Sequence, residues 1–243
     1  MVKRLPLLLF LFISASQAQN FDYSASVNLQ GIYSSEENSP FWLHSNQRGR
    51  IDELTSLAGW ANASVTYALN QNTSVTLGAG AFYQNGYSDK LELDEFFMKL
   101  ENNRFTAFIG KKQKKELYSG LSATNQNILW SLNAAPLPGI GFEITKPVLL
   151  WKRGGLGFTA SWEEYTTDDE RYVEDTRVHH KSFHIVFNKI RNFELIFGVQ
   201  HFAQWGGISP KYGKLPAGFD DYIQVFIGKE GKDDVQGEEA NAL

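Results

Sequence analysis

The residues richest in binding chemistry lie in one short stretch, PFWLHSNQRGR, at positions 40–50. It combines aromatic rings with amide, imidazole and guanidinium groups. Aromatic faces pack against the apolar faces of sugars, while amides and guanidinium groups bond hydroxyls and carboxylates. One interpretation is therefore a carbohydrate-binding segment. Its candidate residues are Trp42, His44, Asn46, Gln47, Arg48 and Arg50.

A structural role competes with sugar binding for the same residues. Trp42 would then pack inward, and Arg48 or Arg50 would pair with an acidic side chain. Asp94 and Glu95 are acids of the kind required. Buried polar groups need hydrogen-bonding partners, so a structural role accounts for these residue types as well as sugar binding does. Both interpretations stay open, and bracing is the one we favour.

Two further stretches, residues 111–138 and 204–219, carry the same mixture of tryptophan, amides, glycine and proline. The first contains Trp130 and Asn133, and the second contains Trp205. Long irregular segments in a compact fold are usually functional or disordered, and the aromatic content argues against disorder. We expect these three residues to contact polysaccharide or to brace the interior.

Three histidines and an acidic run are the candidates for catalysis or metal binding. His180 and His184 would form a metal pair on a helix. Alternation makes RVHHKSFHIVF a strand, which sets these two residues about 13 Å apart at roughly 3.3 Å per residue. The acidic run at 161–177 could supply a glycosidase carboxylate pair, yet it is typical of a solvated hairpin loop. We expect no enzyme, no metal and no cofactor.

Four lysines, at positions 111, 112, 114 and 115, cluster after a segment with strand character. Clustered ammonium groups can hold an anionic polysaccharide or a lipid phosphate. A soluble turn at a strand end is the simpler interpretation. The chain as a whole is acidic, with a formal net charge of −4. This charge argues against a nucleic-acid partner, because no broad basic face is available.

These residues must be positioned by strands, because apolar and polar side chains alternate with a period of two along most of the chain. Several of these segments are ten or more residues long, whereas strands of soluble proteins usually have about five or six. A tilted bilayer-crossing strand needs about nine to eleven. The predicted strands lie at residues 23–33, 60–70, 74–84, 91–100, 105–110, 141–146, 156–165, 179–188, 193–200 and 221–228.

These lengths predict an all-β fold, an antiparallel transmembrane β-barrel of the outer membrane. The alternative is an exported antiparallel sandwich, whose strands also alternate. Residues 1–18, MVKRLPLLLFLFISASQA, have the basic start, short apolar core and small residues of a cleaved signal peptide. The β-barrel domain is then residues 19–243. The chain has no cysteine, which suits an envelope protein held together by means other than disulfides.

Three motifs carry a resemblance to a known family. They are PFWLHSNQRGR, LSATNQNILWSLNAAPLPGIGFEIT and HFAQWGGISPKYGKLPAGFDDYIQVFIG. In these motifs the chain resembles the Wzi family of capsule-assembly outer-membrane proteins, in the form found in Bacteroidetes-type bacteria. The resemblance covers most of residues 19–243. It implies a large outer-membrane β-barrel that attaches or organises capsular polysaccharide and is lectin-like rather than enzymatic.

The chain departs from the family in length, because too few strands are visible and it ends in the polar sequence GKDDVQGEEANAL. We therefore expect an incomplete barrel, the N-terminal portion of a longer protein truncated at its C-terminus. The expected partners are capsular or other surface polysaccharide, outer-membrane lipid and lipopolysaccharide, and the expected state is a monomer. A porin-like channel and an exported glycan-processing enzyme are the alternative functions.

Overall fold

A computed structural model describes residues 20–35, 38–86, 88–116, 130–151, 155–167, 171–190 and 193–229. The predicted signal peptide and the polar C-terminal tail lie outside these residues, as do positions 168–170 of the acidic run and the amides at 125–127. Among the described residues, no helix is long and apolar enough to cross a membrane.

The described chain is built on a ten-stranded sheet in which every pairing is antiparallel. Its strands are β1 (Phe21–Gly31), β2 (Leu57–Asn70), β3 (Thr73–Gln84), β4 (Leu91–Asn102), β5 (Phe105–Lys111), β6 (Pro138–Ile144), β7 (Val148–Trp151), β8 (Leu156–Thr166), β9 (Arg177–Ile190) and β10 (Phe193–Trp205). The remaining elements are a small hairpin of β11 (Ile208–Ser209) and β12 (Gly213–Lys214), and two helices, α1 (Phe41–His44) and α2 (Phe219–Ile227).

The sheet is a meander in which each strand pairs with the next one in the chain. The exception is β6, which pairs with β8 rather than with β7. The short strand β7 pairs with a different part of β8. The antiparallel all-β prediction is confirmed. Within the described residues β1 and β10 each keep one unpaired edge, so the sheet is not closed there. Closure into a barrel stays a prediction.

The two faces of the sheet differ in chemistry. We call outer the face that carries exposed apolar side chains, among them Leu77, Phe96, Met98, Ile109, Phe142 and Phe197. The inner face is the opposite one. It carries small and polar residues, and it is buried in β3 at every second position from Thr76 to Gln84. Hydroxyl pairs cross it, with Thr66 bonded to Thr76 at 2.9 Å and Ser161 bonded to Ser182 at 2.7 Å.

Nine of the predicted strands are present within a few residues of their expected bounds. The tenth prediction, a strand at residues 221–228, is wrong because α2 occupies this stretch. Local signals favour the helix: the Asp221 carboxylate accepts the Gly218 N–H at 2.9 Å, and Gly228 ends the helix with a left-handed backbone. The short strand β7 was not predicted.

Candidate binding site on the inner face

The candidate site begins at an irregularity in β4. The pairing register with β3 shifts next to Gly80 and leaves Asp94 as an extra residue in β4. A β-bulge of this kind re-aims side chains. As a result Asp94 and Glu95, though adjacent, reach the same inner-face partner. The Asn62 amide Nδ2 donates to the Asp94 carboxylate at 2.9 Å and to the Glu95 carboxylate at 3.1 Å.

Arg50 brings the loop of the opening motif to this carboxylate. Its Nε and Nη2 atoms donate to the two oxygens of Asp94 at 3.2 and 2.5 Å. The Gln113 amide adds a third donor to Asp94 at 2.9 Å, and the Asp94 side chain is only 1% exposed. The Arg50 guanidinium also lies 5.3 Å from the centre of the Trp60 ring. A bidentate, buried pair of this kind holds residues 38–56 against the inner face.

A second polar cluster centres on Lys114. Its ammonium group donates to the Glu163 carboxylate at 2.6 Å and to the Tyr165 hydroxyl at 2.5 Å. The other Glu163 oxygen bonds His180 Nδ1 at 2.9 Å, and the His180 ring stacks on Phe202 at 4.8 Å between centroids. This cluster anchors residues 112–116 to β8 and β9 in the way that Arg50 anchors the first segment to β4.

The two anchored segments also contact each other. The Arg48 Nη1 atom donates to the Lys114 carbonyl at 3.1 Å, and its Nη2 atom pairs with Glu116 at 3.5 Å. The Arg48 backbone N–H donates to the Leu132 carbonyl at 2.5 Å. Asn46 and Arg48 both have positive φ angles, of 60° and 61°. Such a backbone persists only where the surroundings hold it, so this turn has a fixed shape.

Four side chains with sugar-binding chemistry are exposed, three on this loop and one, Asn133, on the segment that bonds to it. Phe41 and Trp42 in α1 are 68% and 65% exposed, and their rings meet edge to face at 5.6 Å. Asn46 and Asn133 are also exposed, and the Asn46 N–H donates to the Asn133 side-chain oxygen. Aromatic faces beside amide groups on a fixed turn can bind a sugar chain.

The remaining candidates are less exposed, and two of them, Trp130 and Trp205, lie outside this loop. His44 Nδ1 contacts the Ser39 hydroxyl at 3.2 Å, and Gln47 is half-buried. Trp130 packs on the inner face, with its ring 5.0 Å from the Lys114 ammonium. Trp205 is 4% exposed and packs against Tyr222 on the outer face. Trp205 therefore does not join the other candidates.

The lysine cluster divides between two environments. Lys112 lies just after β5, with its ammonium group 5.4 Å from the centre of the Phe97 ring. Burial lowers the pKa of the Lys112 ammonium group, and the nearby Lys99 charge lowers it further. Lys114 is bonded in the second cluster. These two lysines are therefore not a solvated turn, and the soluble-turn interpretation is wrong for them.

The acidic run also needs a correction. Glu163 and Glu164 belong to β8 rather than to a solvated loop, because β8 continues to Thr166. Glu163 lies in the inner cluster, while Glu164 bonds His179 on the outer face. The signal was present in the sequence, since alternation placed Glu163 on the polar side of this strand. Its partners Lys114 and His180 come from distant segments, and no local pattern joins them.

The histidines occupy both faces of β9. His180 and His184 lie at inner positions, whereas His179 is fully buried on the outer face. Within the described part of the chain, no group of three or more histidine, cysteine, aspartate or glutamate side chains could hold a metal ion.

No family model matches the chain, and no curated protein matches it. Among solved structures, the chain is similar to Wzi of Escherichia coli, described as an outer-membrane protein involved in group 1 capsule assembly and a carbohydrate-binding β-barrel. The identity is 11%, the TM-score is 0.48, and the match covers 87% of this chain and 44% of that one. The chain therefore spans less than half the length of the Wzi structure.

A second similarity is to Salmonella typhi OmpF in complex with daunomycin. The identity is 8%, the TM-score is 0.28, and the match covers 82% of this chain and 71% of that one. With TM-scores this low, neither similarity carries an argument about function.

Proposed function

We propose that the protein is a non-catalytic outer-membrane β-barrel protein that binds surface polysaccharide and takes part in attaching or assembling a capsule. In this proposal the protein is a monomer that reaches the outer membrane through a cleaved signal peptide. Its outer face meets lipid and lipopolysaccharide. The long strands support this placement, because β2, β3, β4, β8, β9 and β10 are each long enough to cross a bilayer.

The observation that carries the binding function is the exposure of two aromatic rings, Phe41 and Trp42, and of two amide side chains, Asn46 and Asn133. Contiguous exposed apolar groups mark interaction sites, and the exposed rings of Phe41 and Trp42 contact each other. The turn beneath them is held by the Arg50–Asp94 pair and the Arg48 contacts. A fixed surface loses little entropy on binding, which favours recognition of a flexible chain such as a polysaccharide.

The same geometry supports a non-catalytic role. A glycosidase needs one protonated and one ionised carboxyl group, both open to substrate. In the Asp94–Glu95 pair, Asp94 is buried and its oxygens accept hydrogen bonds from Arg50, Asn62 and Gln113. Because these donors hold its oxygens, Asp94 is not open to a substrate.

A channel is the functional class that competes most directly. Residues 38–56 and 112–116 lie across the inner face, so an open water-filled path would have to pass around them. We therefore expect little or no conductance in planar bilayers. Steady open-channel conductance would contradict the proposed role.

Polysaccharide binding is tested with the purified protein in detergent, by titrating fluorescently labelled capsular polysaccharides. The variant is Trp42→Ala, and the matched control is Tyr172→Ala, because Tyr172 is also exposed, at 72%, but lies between β8 and β9. Contacts between aromatic rings contribute about 0.5–1.5 kcal/mol, and the loss of a ring–sugar contact of the same size corresponds to roughly 2- to 12-fold weaker binding.

We expect Trp42→Ala to weaken binding by this factor and Tyr172→Ala to leave it unchanged. Both variants should fold normally, since both side chains are exposed. Equal binding by the parent protein and both variants would place the sugar elsewhere. Absence of binding by the parent protein to any surface polysaccharide would contradict the proposed function itself.

A further inference from the structure

The apolar outer face is interrupted by a polar patch on β8, β9 and β10. It consists of outward-facing charged and imidazole side chains, Glu164, His179, Lys181 and His201. The pairing register places Glu164 beside His179, and Lys181 beside His201. Glu164 and His179 are hydrogen-bonded to each other. Polar groups of this kind are costly on a face that meets lipid.

Helix α2 covers this polar patch. The Tyr222 hydroxyl accepts the Trp162 indole N–H at 2.9 Å, and the Tyr222 ring lies 6.0 Å from the His179 ring. The Phe226 ring lies 5.6 Å from the His179 ring and 4.5 Å from the Lys181 ammonium. Burial raises the pKa of Tyr222, which therefore stays protonated and neutral. His179 is 0% exposed beneath the helix.

The side of α2 that points away from the sheet is also apolar. Phe219, Ile223 and Ile227 are 76%, 42% and 65% exposed, and they are spaced four residues apart, which places them on one stripe of the helix. Nothing among the described residues covers this stripe. Polar residues, Asp220 and Gln224, flank it.

The position of α2 along the strands identifies what can cover the stripe. Its contacts extend from Trp205, the last residue of β10, to Trp162, the seventh of the eleven residues of β8. Trp162 is four residues from the end of β8, or about 13 Å at roughly 3.3 Å per residue. At this level the outer positions of β9 change from the apolar Phe183 to the charged Lys181, as expected at the boundary between the apolar belt of a membrane barrel and water.

We propose that α2 is an interfacial helix, clamped to the outer face by Tyr222 and Phe226, whose stripe of Phe219, Ile223 and Ile227 is immersed at the boundary between lipid headgroups and acyl chains. This inference rests on the proposed membrane insertion of the sheet. Phe219 lines the same cavity as Ile109 and Ile140 of the outer face, so the stripe adjoins that face at its start. A helix of this type buries its apolar side about 5–10 Å into the boundary. The helix thus replaces an exposed polar patch by an apolar surface.

Single-cysteine labelling tests the position of the helix, because the chain contains no cysteine of its own. Three variants are made, Ile227→Cys on the stripe, Asp220→Cys on the polar side of the same helix, and Met98→Cys on the outer face of β4. Each is labelled with an environment-sensitive fluorophore and reconstituted in phosphatidylcholine–phosphatidylglycerol vesicles. Quenching is measured with nitroxide lipids labelled at the headgroup or mid-chain, and with aqueous iodide.

We expect the Ile227 probe to be quenched most by the headgroup nitroxide, the Met98 probe most by the mid-chain nitroxide, and the Asp220 probe most by iodide. If the Met98 probe responds to lipid nitroxides while the Ile227 probe responds only to iodide, the interfacial helix is refuted and the proposed membrane insertion stands. If the Met98 probe also responds only to iodide, membrane insertion fails and the inference fails with it.

Discussion

Asp94 is the residue on which the inner-face site depends. It sits in the β-bulge, is nearly inaccessible to solvent, and accepts hydrogen bonds from Arg50, Asn62 and Gln113. These donors come from three separate parts of the chain. A buried carboxylate without such partners is strongly destabilising, so the four groups form one unit.

Replacing Asp94 tests this dependence. Asp94→Asn leaves the Arg50 guanidinium without a counter-ion, and breaking a buried pair in this way costs about 3–5 kcal/mol in the free energy of unfolding. Urea unfolding in detergent, followed by tryptophan fluorescence, measures the loss. The double variant Arg50→Leu/Asp94→Leu should lose less than Asp94→Asn, because it removes both charges together.

The control for this prediction is Glu101→Gln. Glu101 pairs with Lys99 on the same strand, but its side chain is 47% exposed. Exposed ion pairs contribute about 0.2–1 kcal/mol, so a small change is expected. Equal losses for Asp94→Asn and Glu101→Gln would show that the inner-face pair is not buried in solution.

Residue types alone could suggest the Arg50–Asp94 pairing but could not decide it. The sequence contains two arginines and two acids of the kind required, and the structure joins Arg50 to Asp94 while Arg48 pairs with Glu116. The bulge makes this choice, because it turns Asp94 inward beside Glu95. A period-two pattern does not show where a strand gains one residue, so the bulge was not predictable.

At the scale of elements, alternation predicted β1 to β6 and β8 to β10 because each strand has chemically different faces. It failed at residues 221–228, where most positions are apolar and both a period of two and a period of 3.6 fit. The capping interactions at Gly218 and Gly228 favour the helix. The polar side chains beneath α2 were also unpredictable, since His179 and Glu164 meet only through the register of β8 and β9.

Strand β3 offers a second test, since its inner position at Gly80 must stay small. A Cβ on Gly80 would overlap the Asn62 amide that donates to Asp94 and Glu95. We expect Gly80→Ala to cost about 1–3 kcal/mol in unfolding free energy, as overpacking usually does. Urea unfolding under the same conditions as for Asp94→Asn measures this cost.

The neighbouring position provides the matched control. Ala79→Val adds more volume than Gly80→Ala, but Ala79 is exposed on the outer face. Its effect should stay within about 0.5 kcal/mol, as for other surface substitutions. A destabilising Ala79→Val together with a silent Gly80→Ala would mean that the two faces of β3 are assigned the wrong way round.

At the scale of the whole molecule, the outer face separates the two fold predictions made from the sequence. A membrane barrel exposes its apolar face to lipid, whereas a soluble sandwich buries its apolar face against a second sheet. The described residues contain no second sheet large enough to cover this face, since the other one is the β11–β12 hairpin. An exposed apolar surface of this extent needs a partner, and lipid is the partner in the proposed function.

Leu77→Arg tests whether that partner is lipid. Leu77 is 51% exposed and lies near the middle of β3, so in an inserted barrel its side chain meets the bilayer core. The substitution should then cost about 2–4 kcal/mol in the free energy of folding into vesicles. The control Tyr172→Arg, outside the strands, should stay within about 0.5 kcal/mol. In water a half-exposed leucine can be replaced by arginine at little cost, because the guanidinium stays hydrated. A silent Leu77→Arg in vesicles would therefore exclude the membrane from the outer face, and the exposed apolar surface would need a protein partner instead.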